Sequence, residues 1–374
     1  MSEREARLAL GCVVEPGTPQ VAEAVAEFGA EAVWESLLAR GSQTVLARRA
    51  REFRAGPVAE AAAAAGARFV VPGDAEWPAG LGALDGCEPV NEMSGAPLGL
   101  WVRGGGDLAG LAARSVAIVG SRACTSYGET VATELAAELG EAGWSVVSGG
   151  AFGIDAAAHR GCLASRTPTV VVLAGGVDTA YPPAHAPLFE RIAEQGVVVS
   201  ELAPGQHPTR LRFLGRNRLI AALSQGTLLV EAAVRSGARN TVTWASSLGR
   251  VVMAVPGPVT SALSFTPHRL IRESEAVLVA RAGEVLELLG PLGTRSVRPP
   301  VVRRPTDDLG PDELRVFEAV PARGSLSAGE LSLRSGVALA GCLGILDRLA
   351  DLGFVVQDAR WEWRLPPRPR PPAG

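Results

Sequence analysis

Two strand–glycine loop–helix units follow one another between residues 115 and 161, and this stretch limits the possible folds more than any other. In the first unit, the apolar run 116–119 ends at Gly120-Ser121-Arg122, and a helix is predicted to follow. A short, continuous apolar run is typical of a buried parallel strand. The glycine after it lets the backbone approach a ligand closely.

The second unit repeats this pattern. The predicted strand 145–148 ends at a loop from Gly149 to Gly153, and helices are predicted over about 128–141 and from about Asp155. Parallel strands carry their following loops at one edge of a sheet, and the unpaired amides at a helix start favour an anion. The two loops and their arginine therefore predict a phosphate-binding edge, without showing whose phosphate it holds.

Strands and helices alternate from residue 115 to about 289, which predicts an α/β fold with a doubly wound parallel sheet. The predicted strands lie near 116–119, 145–148, 169–173, 197–200, 227–231, 251–255 and 277–280.

The flanking regions predict further domains. Residues 1–66 carry apolar residues at helical spacing and predict a small N-terminal helical domain, followed by the Rossmann-like domain over 67–292. The Pro/Arg-rich stretch 293–305 predicts a linker. Three helical segments and a short strand pair over 306–366 predict a C-terminal winged-helix domain.

Composition excludes several classes of protein. All 36 basic residues are arginine, so neither a Walker A loop nor a pyridoxal Schiff base is possible. No apolar run reaches the about 18–20 residues of a membrane helix, and the N-terminus does not resemble a signal peptide. The five cysteines form no CxxC pair, which favours reduced thiols in the cytosol over disulfides or zinc.

Positive charge is concentrated in one segment of a nearly neutral chain. Between residues 203 and 250 there are seven arginines and one acidic residue. Arg216-Asn217-Arg218 are predicted at a helix start, beside Phe213. Arginine donates paired hydrogen bonds to phosphate, and an aromatic ring can stack on a base, so this segment predicts a nucleic-acid site.

The C-terminal domain has the opposite charge. Residues 306–363 contain ten acidic residues and five arginines, and Arg348 is the only basic residue of the predicted third helix, 338–351. A DNA-recognition helix normally presents cations and polar side chains. The domain is therefore predicted to contact protein, or to contact DNA weakly through Arg360 and Arg364.

No catalytic site is specified by the sequence. Asp155 and His159 are four residues apart on one helix, but a helix cap and a packed histidine are the commoner roles of such residues. Asp178 is expected at the end of a strand, where it could contact a sugar or a base, or form an Asx turn. The four histidines have neither zinc-site spacing nor cysteine partners. We expect no catalysis, no metal and no other cofactor.

Six motifs in order resemble the DNA-processing protein family DprA/Smf over about residues 98–290. The motifs are VAIVGSR (116–122), VVSGGAFGIDAAAHRG (146–161), GGVDTAYPP (175–183), GRNRLIAALSQGTLLVEAA (215–233), SGARNT (236–241) and VMAVPGPV (252–259). The resemblance implies an extended Rossmann fold, with a SAM- or helix-hairpin-helix-like domain before it and a winged helix after it. It also implies a cytoplasmic, homodimeric, non-enzymatic protein that binds and protects single-stranded DNA and loads the RecA recombinase in natural transformation.

The resemblance further implies which residues bind the strand. The GSR motif would contact a backbone phosphate, the SGxxxGID loop would lie beside it, and the RNR motif would follow the path of the strand. The predicted set is Gly120, Ser121, Arg122, Ser148, Gly149, Gly153, Asp155, Phe213, Arg216, Asn217, Arg218, Arg239, His268 and Arg269.

The competing prediction is an enzyme, a nucleoside-monophosphate phosphoribohydrolase of the related nucleotide-binding superfamily. Those enzymes carry PGGxGTxxE, in which amides bind phosphate and the glutamate is catalytic. The nearest match here, SQGTLLVEAA (224–233), places Glu231 at the end of a strand. It lacks the glycine pair and puts Gly226 and Thr227 before a strand instead of after one.

Overall fold

The computed structural model describes residues 1–39, 44–291 and 304–367. Contacts divide the chain into two compact units, Met1–Val297 and Arg298–Gly374. Most of the predicted linker, residues 293–303, lies outside the described residues.

The first unit begins with five short helices in its described residues. They are α1 (Glu3–Val13), α2 (Pro19–Phe28), α3 (Ala30–Ala39), α4 (Val45–Glu52) and α5 (Ala55–Ala64). Leu10 and Trp34 are buried in a core to which α1, α2, α3 and α4 contribute. Arg4 ties α1 to the segment that follows by donating to Asp74 (2.6 Å) and to the carbonyl oxygen of Phe69 (2.6 Å). The helices and the sheet therefore belong to one compact unit.

A nine-stranded sheet forms the centre of the first unit. Its strands are β1 (Ala67–Val70), β2 (Leu100–Arg103), β3 (Ser115–Val119), β4 (Ser145–Gly149), β5 (Thr169–Val172), β6 (Val197–Ser200), β7 (Gly226–Leu229), β8 (Val251–Ala254) and β9 (Val277–Leu278). Strand β2 pairs antiparallel with β1 and β6, and the remaining pairs are parallel. The seven predicted strands and the α/β fold are confirmed, whereas β1 and β2 are not among the predicted strands.

Helices cover both faces of this sheet. They are α6 (Leu108–Ala113), α7 (Ser126–Glu141), α8 (Ile154–Ala164), α9 (Ala186–Gln195), α10 (Arg210–Ala222), α11 (Ala238–Ser247), α12 (Phe265–Arg272) and α13 (Ala282–Leu289). In β3, Val116 and Ile118 pack among α7, α8 and α13, whereas Ala117 and Val119 pack among α10 and α11. Because successive side chains of a strand point to opposite faces, one short apolar run contributes to two cores.

The direction of winding reverses at β3. The strand order is β1-β2-β6-β5-β4-β3-β7-β8-β9, so β4 and β7 lie on opposite sides of β3. The loops after β3 and β7 therefore diverge at the carboxyl edge of the sheet. Ligands of open α/β sheets bind in the crevice at such a switch point.

Helix α10 corrects one prediction. It begins at Arg210, with Thr209 Oγ1 accepting from Arg212 N (3.3 Å) as the N-cap. Arg216-Asn217-Arg218 therefore lie in the middle of the helix and not at its start. Residues 215–222 are all buried, so α10 has no single apolar stripe that would reveal its first turns in the sequence.

The second unit contains three helices and a strand pair in its described residues. They are α14 (Pro311–Ala319), α15 (Ala328–Ser335), α16 (Leu339–Asp351), β10 (Val356–Gln357) and β11 (Trp363–Arg364). Strands β10 and β11 pair antiparallel, and Val316, Leu346 and Trp363 are buried in the core of the unit. These elements match those predicted for 306–366, while the winged-helix assignment stays a prediction.

None of the described helices is by itself long and apolar enough to cross a membrane, although α15 and α16, bent by 106°, pass that criterion as a pair.

Candidate nucleic-acid interface

A cavity of about 740 Å³ opens at the switch point, between the loops after β3 and β7 and the helix α10. Half of the predicted site residues line it. These are Gly120, Ser121, Arg122, Asp155, Phe213, Arg216 and Asn217.

The loop from Gly120 to Arg122 is held tightly in the cavity wall. A Cβ on Gly120 would lie 2.6 Å from Ile154 Cγ1 and 2.8 Å from the carbonyl oxygen of Glu231, so a larger residue does not fit. The amide of Ser121 donates to that same carbonyl oxygen (2.6 Å). The fixed backbone presents Arg122 as an exposed side chain of the cavity lining, with no carboxylate partner among the residues described.

The second glycine loop, 149–153, packs closely against the first, 120–122. Gly153 has a φ of +77°, and a Cβ there would lie 2.7 Å from the carbonyl oxygen of Arg122. The amide of Ile154 donates to the carbonyl oxygen of Ser121 (3.1 Å). Ser148 is fully buried, and its Oγ donates to a carbonyl oxygen of β3 (2.6 Å). Gly153 and Ser148 therefore support the first loop and do not line the cavity.

Arg216 reaches the cavity from the middle of α10 and is only 7% exposed. Its Nη1 donates to the carbonyl oxygen of Val172 (2.8 Å), while its Nε is buried without a partner in the described part of the chain. The guanidinium lies beside Gly149, where a Cβ would also be 2.5 Å from Asp155 Oδ2. The absence of a side chain at Gly149 thus makes room for Arg216 and Asp155 together.

Burial shifts the pKa of both members of this pair. Desolvation raises the pKa of Asp155 to about 6, although the charge of Arg216 acts in the opposite direction. Desolvation lowers the pKa of Arg216 to about 10, against the effect of Asp155. Both groups are therefore ionised at neutral pH and balance each other. The unpartnered Nε–H of Arg216 remains as a donor for an anion, because an unmade buried hydrogen bond is costly.

The ring of Phe213 stands close to two arginines. The guanidinium carbon of Arg122 lies 5.0 Å from the ring centroid, and that of Arg216 lies 5.8 Å from it. The ring centroid of Tyr181 lies 5.6 Å from that of Phe213. The two distances from the arginines to the Phe213 ring are within the range of cation–π attraction. The arrangement places an aromatic surface for a base beside charges for a phosphate.

Arg218 faces away from the cavity. Its guanidinium donates to both carboxylate oxygens of Glu201 (2.6 and 2.7 Å) and to the carbonyl oxygen of Gly95 (3.2 Å). The side chain is 1% exposed. Positions two apart on a helix point in nearly opposite directions, which separates Arg218 from Arg216. Arg218 is therefore part of an internal ion pair.

Three other predicted residues lie outside the cavity. Arg239 pairs with Glu275 (2.9 Å). His268 and Arg269 line a separate groove of about 400 Å³, and His268 Nε2 accepts from the amide of Gly257 (3.2 Å). The structure does not bring these side chains together with Arg122.

Sequence reasoning missed Arg210 and Arg235. Both are exposed and line the cavity, and neither has a carboxylate partner within the described ranges. Their signal in the sequence was the charge density of the segment 203–250. Asn217, which was predicted, donates its Nδ2 to Asn240 Oδ1 (3.1 Å) and so links α10 to α11.

The side chains considered for catalysis are engaged in other contacts. The ring nitrogens of His159 lie 2.8 Å from Thr169 Oγ1 and 3.0 Å from the carbonyl oxygen of Gly149, and burial lowers the pKa of His159 to about 4. The carboxylate of Glu231 accepts from Thr125 N (2.9 Å) and Thr125 Oγ1 (2.7 Å). The contacts of His159 hold α8 to the sheet, and those of Glu231 hold Thr125, the N-cap residue of α7.

Asp178 also has a structural contact, because both of its carboxylate oxygens accept from the amide of Gly205 (2.9 Å each). Over residues 1–39, 44–291 and 304–367 no group of three or more His, Cys, Asp or Glu side chains is placed to hold a metal ion.

Comparison with known proteins decides the family. A family model described as "DNA recombination-mediator protein A" matches residues 68–290, which is more than half of the chain. The chain belongs to this family. The resemblance to DprA/Smf proteins that the six motifs predict is thereby confirmed.

Relatives in the DNA recombination-mediator family match over much of their length. The putative DNA processing protein DprA of Mycobacterium tuberculosis is 46% identical over 299 residues, which cover 79% of this chain and 77% of the relative. The DNA processing protein DprA of Streptococcus pneumoniae is 40% identical over 209 residues, which cover 54% of this chain and 71% of the relative.

Solved structures of family members share the fold. The X-ray structure of DprA from Streptococcus pneumoniae matches with a TM-score of 0.64 and 28% identity, covering 78% of this chain and 99% of that one. DprA from Helicobacter pylori, whose structure is described for its single-stranded DNA binding mode, matches with a TM-score of 0.51 and 24% identity, covering 59% and 94%. The predicted extended Rossmann fold is therefore confirmed.

Proposed function

We propose that the chain binds single-stranded DNA in the cavity at the switch point, without catalysis, and acts in DNA recombination. One observation carries this proposal. Three exposed arginines without carboxylate partners among the described residues, Arg122, Arg210 and Arg235, surround the same cavity. Free guanidinium groups along a groove bind successive phosphates whatever the base sequence.

The aromatic ring of Phe213 favours single-stranded DNA over a duplex as the ligand. A base can stack on a protein ring only when one of its faces is free, which is the normal state of an unpaired strand. Phe213 is half-buried in the cavity lining, with Arg122 and Arg216 beside it. The single-stranded DNA binding mode described for the Helicobacter pylori relative supports the same ligand.

We further propose that the protein protects incoming single strands and loads RecA recombinase onto them during natural transformation. The description of the family model as a recombination mediator supports this role. We also propose that it acts in the cytoplasm, where incoming strands and RecA would meet. The helical segment 1–66, the Rossmann-like segment 67–292 and a winged helix over 306–366, joined to it by residues 293–305, would then be the functional domains.

A second copy of the chain is proposed to pair at the β9 edge of the sheet. Strand β9 is the last strand in the order, and its two residues, Val277 and Leu278, are 46% and 49% exposed. Val259 and Phe265, between β8 and β9, are 89% and 50% exposed. An edge strand with apolar side chains is a template for pairing with another chain.

The phosphoribohydrolase alternative is less well supported by the site. Glu231, its candidate catalytic residue, is 2% exposed, and both of its carboxylate oxygens accept hydrogen bonds from Thr125. A general acid or base must reach its substrate within hydrogen-bond distance. We therefore favour binding over hydrolysis.

Fluorescence anisotropy with labelled dT oligomers and duplexes of equal length tests the proposal. The triple variant Arg122→Gln, Arg210→Gln, Arg235→Gln is expected to bind the single strand at least about 100-fold more weakly than the wild type. Arg166→Gln is the matched control, because Arg166 is also exposed but precedes β5, at the opposite edge of the sheet. A preference of the wild type for duplex, or equal losses in both variants, would contradict the proposal.

A further inference from the structure

Tyr181 contributes an exposed aromatic ring to the lining of the cavity. It belongs to the motif 175–183, after β5, and is 47% exposed. The other tyrosine of the chain, Tyr127, is anchored because its Oη donates to the carbonyl oxygen of Pro256 (2.5 Å). No hydrogen bond anchors the Tyr181 hydroxyl to the residues that the structure describes. The ring of Tyr181 is therefore available to a ligand of the cavity.

The ring of Phe213, in contrast, is already in contact with cations. The guanidinium group of Arg122 lies over this ring, with its carbon 5.0 Å from the centroid, and that of Arg216 lies over it at 5.8 Å. A guanidinium group over an aromatic face is attracted by it and takes up space that a stacked base would need. Phe213 thus gives the otherwise exposed side chain of Arg122 a fixed direction in the cavity.

The faces of the Tyr181 ring are less covered. The planes of the Tyr181 and Phe213 rings are inclined by 60°, so the two rings do not lie face to face. Over the described ranges of the chain, guanidinium groups lie over the rings of Trp144 and Phe213 and not over that of Tyr181. An open aromatic face beside a phosphate-binding cation is what stacking of an unpaired base requires.

We propose that an unpaired base of the strand stacks on Tyr181, while Phe213 holds Arg122 in position for a phosphate. This inference rests on the proposed function and divides the aromatic surface of the cavity into a base position and a support for a cation. The three side chains come from different elements, since Arg122 follows β3, Tyr181 follows β5 and Phe213 lies on α10. Base binding and phosphate binding can therefore be altered separately.

Two labelled strands of equal length separate these contacts in anisotropy titrations of the full-length chain. One is a dT oligomer, and the other is an abasic oligomer that keeps the phosphates and lacks the bases. The wild type is expected to bind the dT oligomer at least about fivefold more tightly, because the abasic strand cannot stack. Tyr181→Leu is expected to lose most of this preference by weakening dT binding alone.

The salt dependence of binding gives the complementary readout. Tyr181→Leu is expected to keep the wild-type slope of log K against log salt concentration, because its phosphate contacts are intact. Phe213→Leu is expected to keep the preference for dT and to have a slope shallower by about 0.7, because Arg122 loses its support.

Two further variants control the test. Tyr181→Phe keeps the ring and is expected to keep both the preference and the slope. Tyr127→Leu is the matched control, because Tyr127 is an exposed tyrosine (37%) on α7 that does not line the cavity. It is expected to bind both strands like the wild type.

Equal binding of the two strands by the wild type, or an unchanged preference in Tyr181→Leu, would overturn the inference. A shallower salt slope in Tyr181→Leu would show that Tyr181 supports the arginines instead of a base, and would overturn it as well. Failure of the wild type to bind either strand would contradict the proposed function itself, and this inference with it.

Discussion

The guanidinium group of Arg216 lies against the Cα of Gly149, in the space that a side chain at position 149 would occupy. A Cβ at position 149 would also lie 2.5 Å from Asp155 Oδ2. The glycine of the second loop therefore admits a buried cation and its counter-ion below the cavity. This contact links the sheet, the start of α8 and the middle of α10 at one point.

Replacement of Gly149 by alanine is expected to displace Arg216 and Asp155. Overpacking of this kind costs about 1–3 kcal/mol of the free energy of unfolding, which urea denaturation measures. The same variant is expected to bind dT oligomers more weakly, because the Arg216 side chain loses its position in the cavity. Gly86→Ala is the control, since a Cβ there meets nothing within 4 Å. Equal stabilities of the two variants would contradict this placement of Arg216.

Replacement of Arg218 by methionine is expected to affect stability and not DNA binding. Glu201 is 11% exposed and would keep a buried charge without its partner, at a cost of about 3–5 kcal/mol. The folded variant is expected to bind dT oligomers with the affinity of the wild type. Urea denaturation and anisotropy together check this expectation. A folded Arg218→Met protein with a binding defect like that of the triple arginine variant would show that Arg218 reaches the strand.

Asp155 and His159 are expected to give opposite dependences of stability on pH. The pKa of Asp155 is raised from 3.8 to about 6, so its stabilising contribution is present at low pH and is lost as the pH rises from about 4 to 6. The pKa of His159 is lowered from 6.5 to about 4, so its contribution is present above pH 6.5 and is lost as the pH falls towards 4.

The variant Asp155→Asn separates these two effects. Relative to the wild type, its free energy of unfolding is expected to rise between pH 4 and 6 by about 1.4 kcal/mol per pH unit, because only the falling contribution has been removed. Urea denaturation at several pH values measures the difference. A constant difference between the two proteins across this range would show that Asp155 is not buried in its charged form.

The β9 edge of the sheet is expected to hold the homodimer together. Sedimentation velocity should find a dimer for the wild type and a monomer for Leu278→Asp, because a charge at the edge strand opposes pairing. Leu38→Asp is a control, since Leu38 is similarly exposed (41%) on α3. A dimer that survives Leu278→Asp, or a monomeric wild type, would contradict the proposed edge pairing.

The parallel part of the sheet could be predicted because each strand is buried on both faces. Such strands are continuous apolar runs, as in 116–119 and 197–199, and they stand out from the helices between them. Strand β1, with only Val70 fully buried, has no comparable signal. Its place in the sheet depends on antiparallel pairing with β2, a long-range contact that local patterns do not show.

The candidate site could be predicted only in part, because sequence does not show which way a helical side chain points. Arg216 and Arg218 are the two arginines of the RNR motif, and the sequence does not distinguish them. In the structure, Arg216 reaches the cavity, whereas Arg218 pairs with Glu201. Both residues lie in the middle of α10, which begins at Arg210. This start could not be read from the sequence, because the helix is buried on several sides and has no single apolar stripe. Arg210 and Arg235 had only the charge of their segment as a signal.

The salt dependence of dT oligomer binding is the most direct test of the central claim that the cavity binds phosphates of a single strand. For a single strand, the slope of log K against log salt concentration changes by about 0.7 for each phosphate that a cation neutralises. Arg122→Gln is expected to have a slope shallower by about 0.7 than that of the wild type, while Arg166→Gln keeps the wild-type slope. Identical slopes for the wild type and Arg122→Gln would contradict the account.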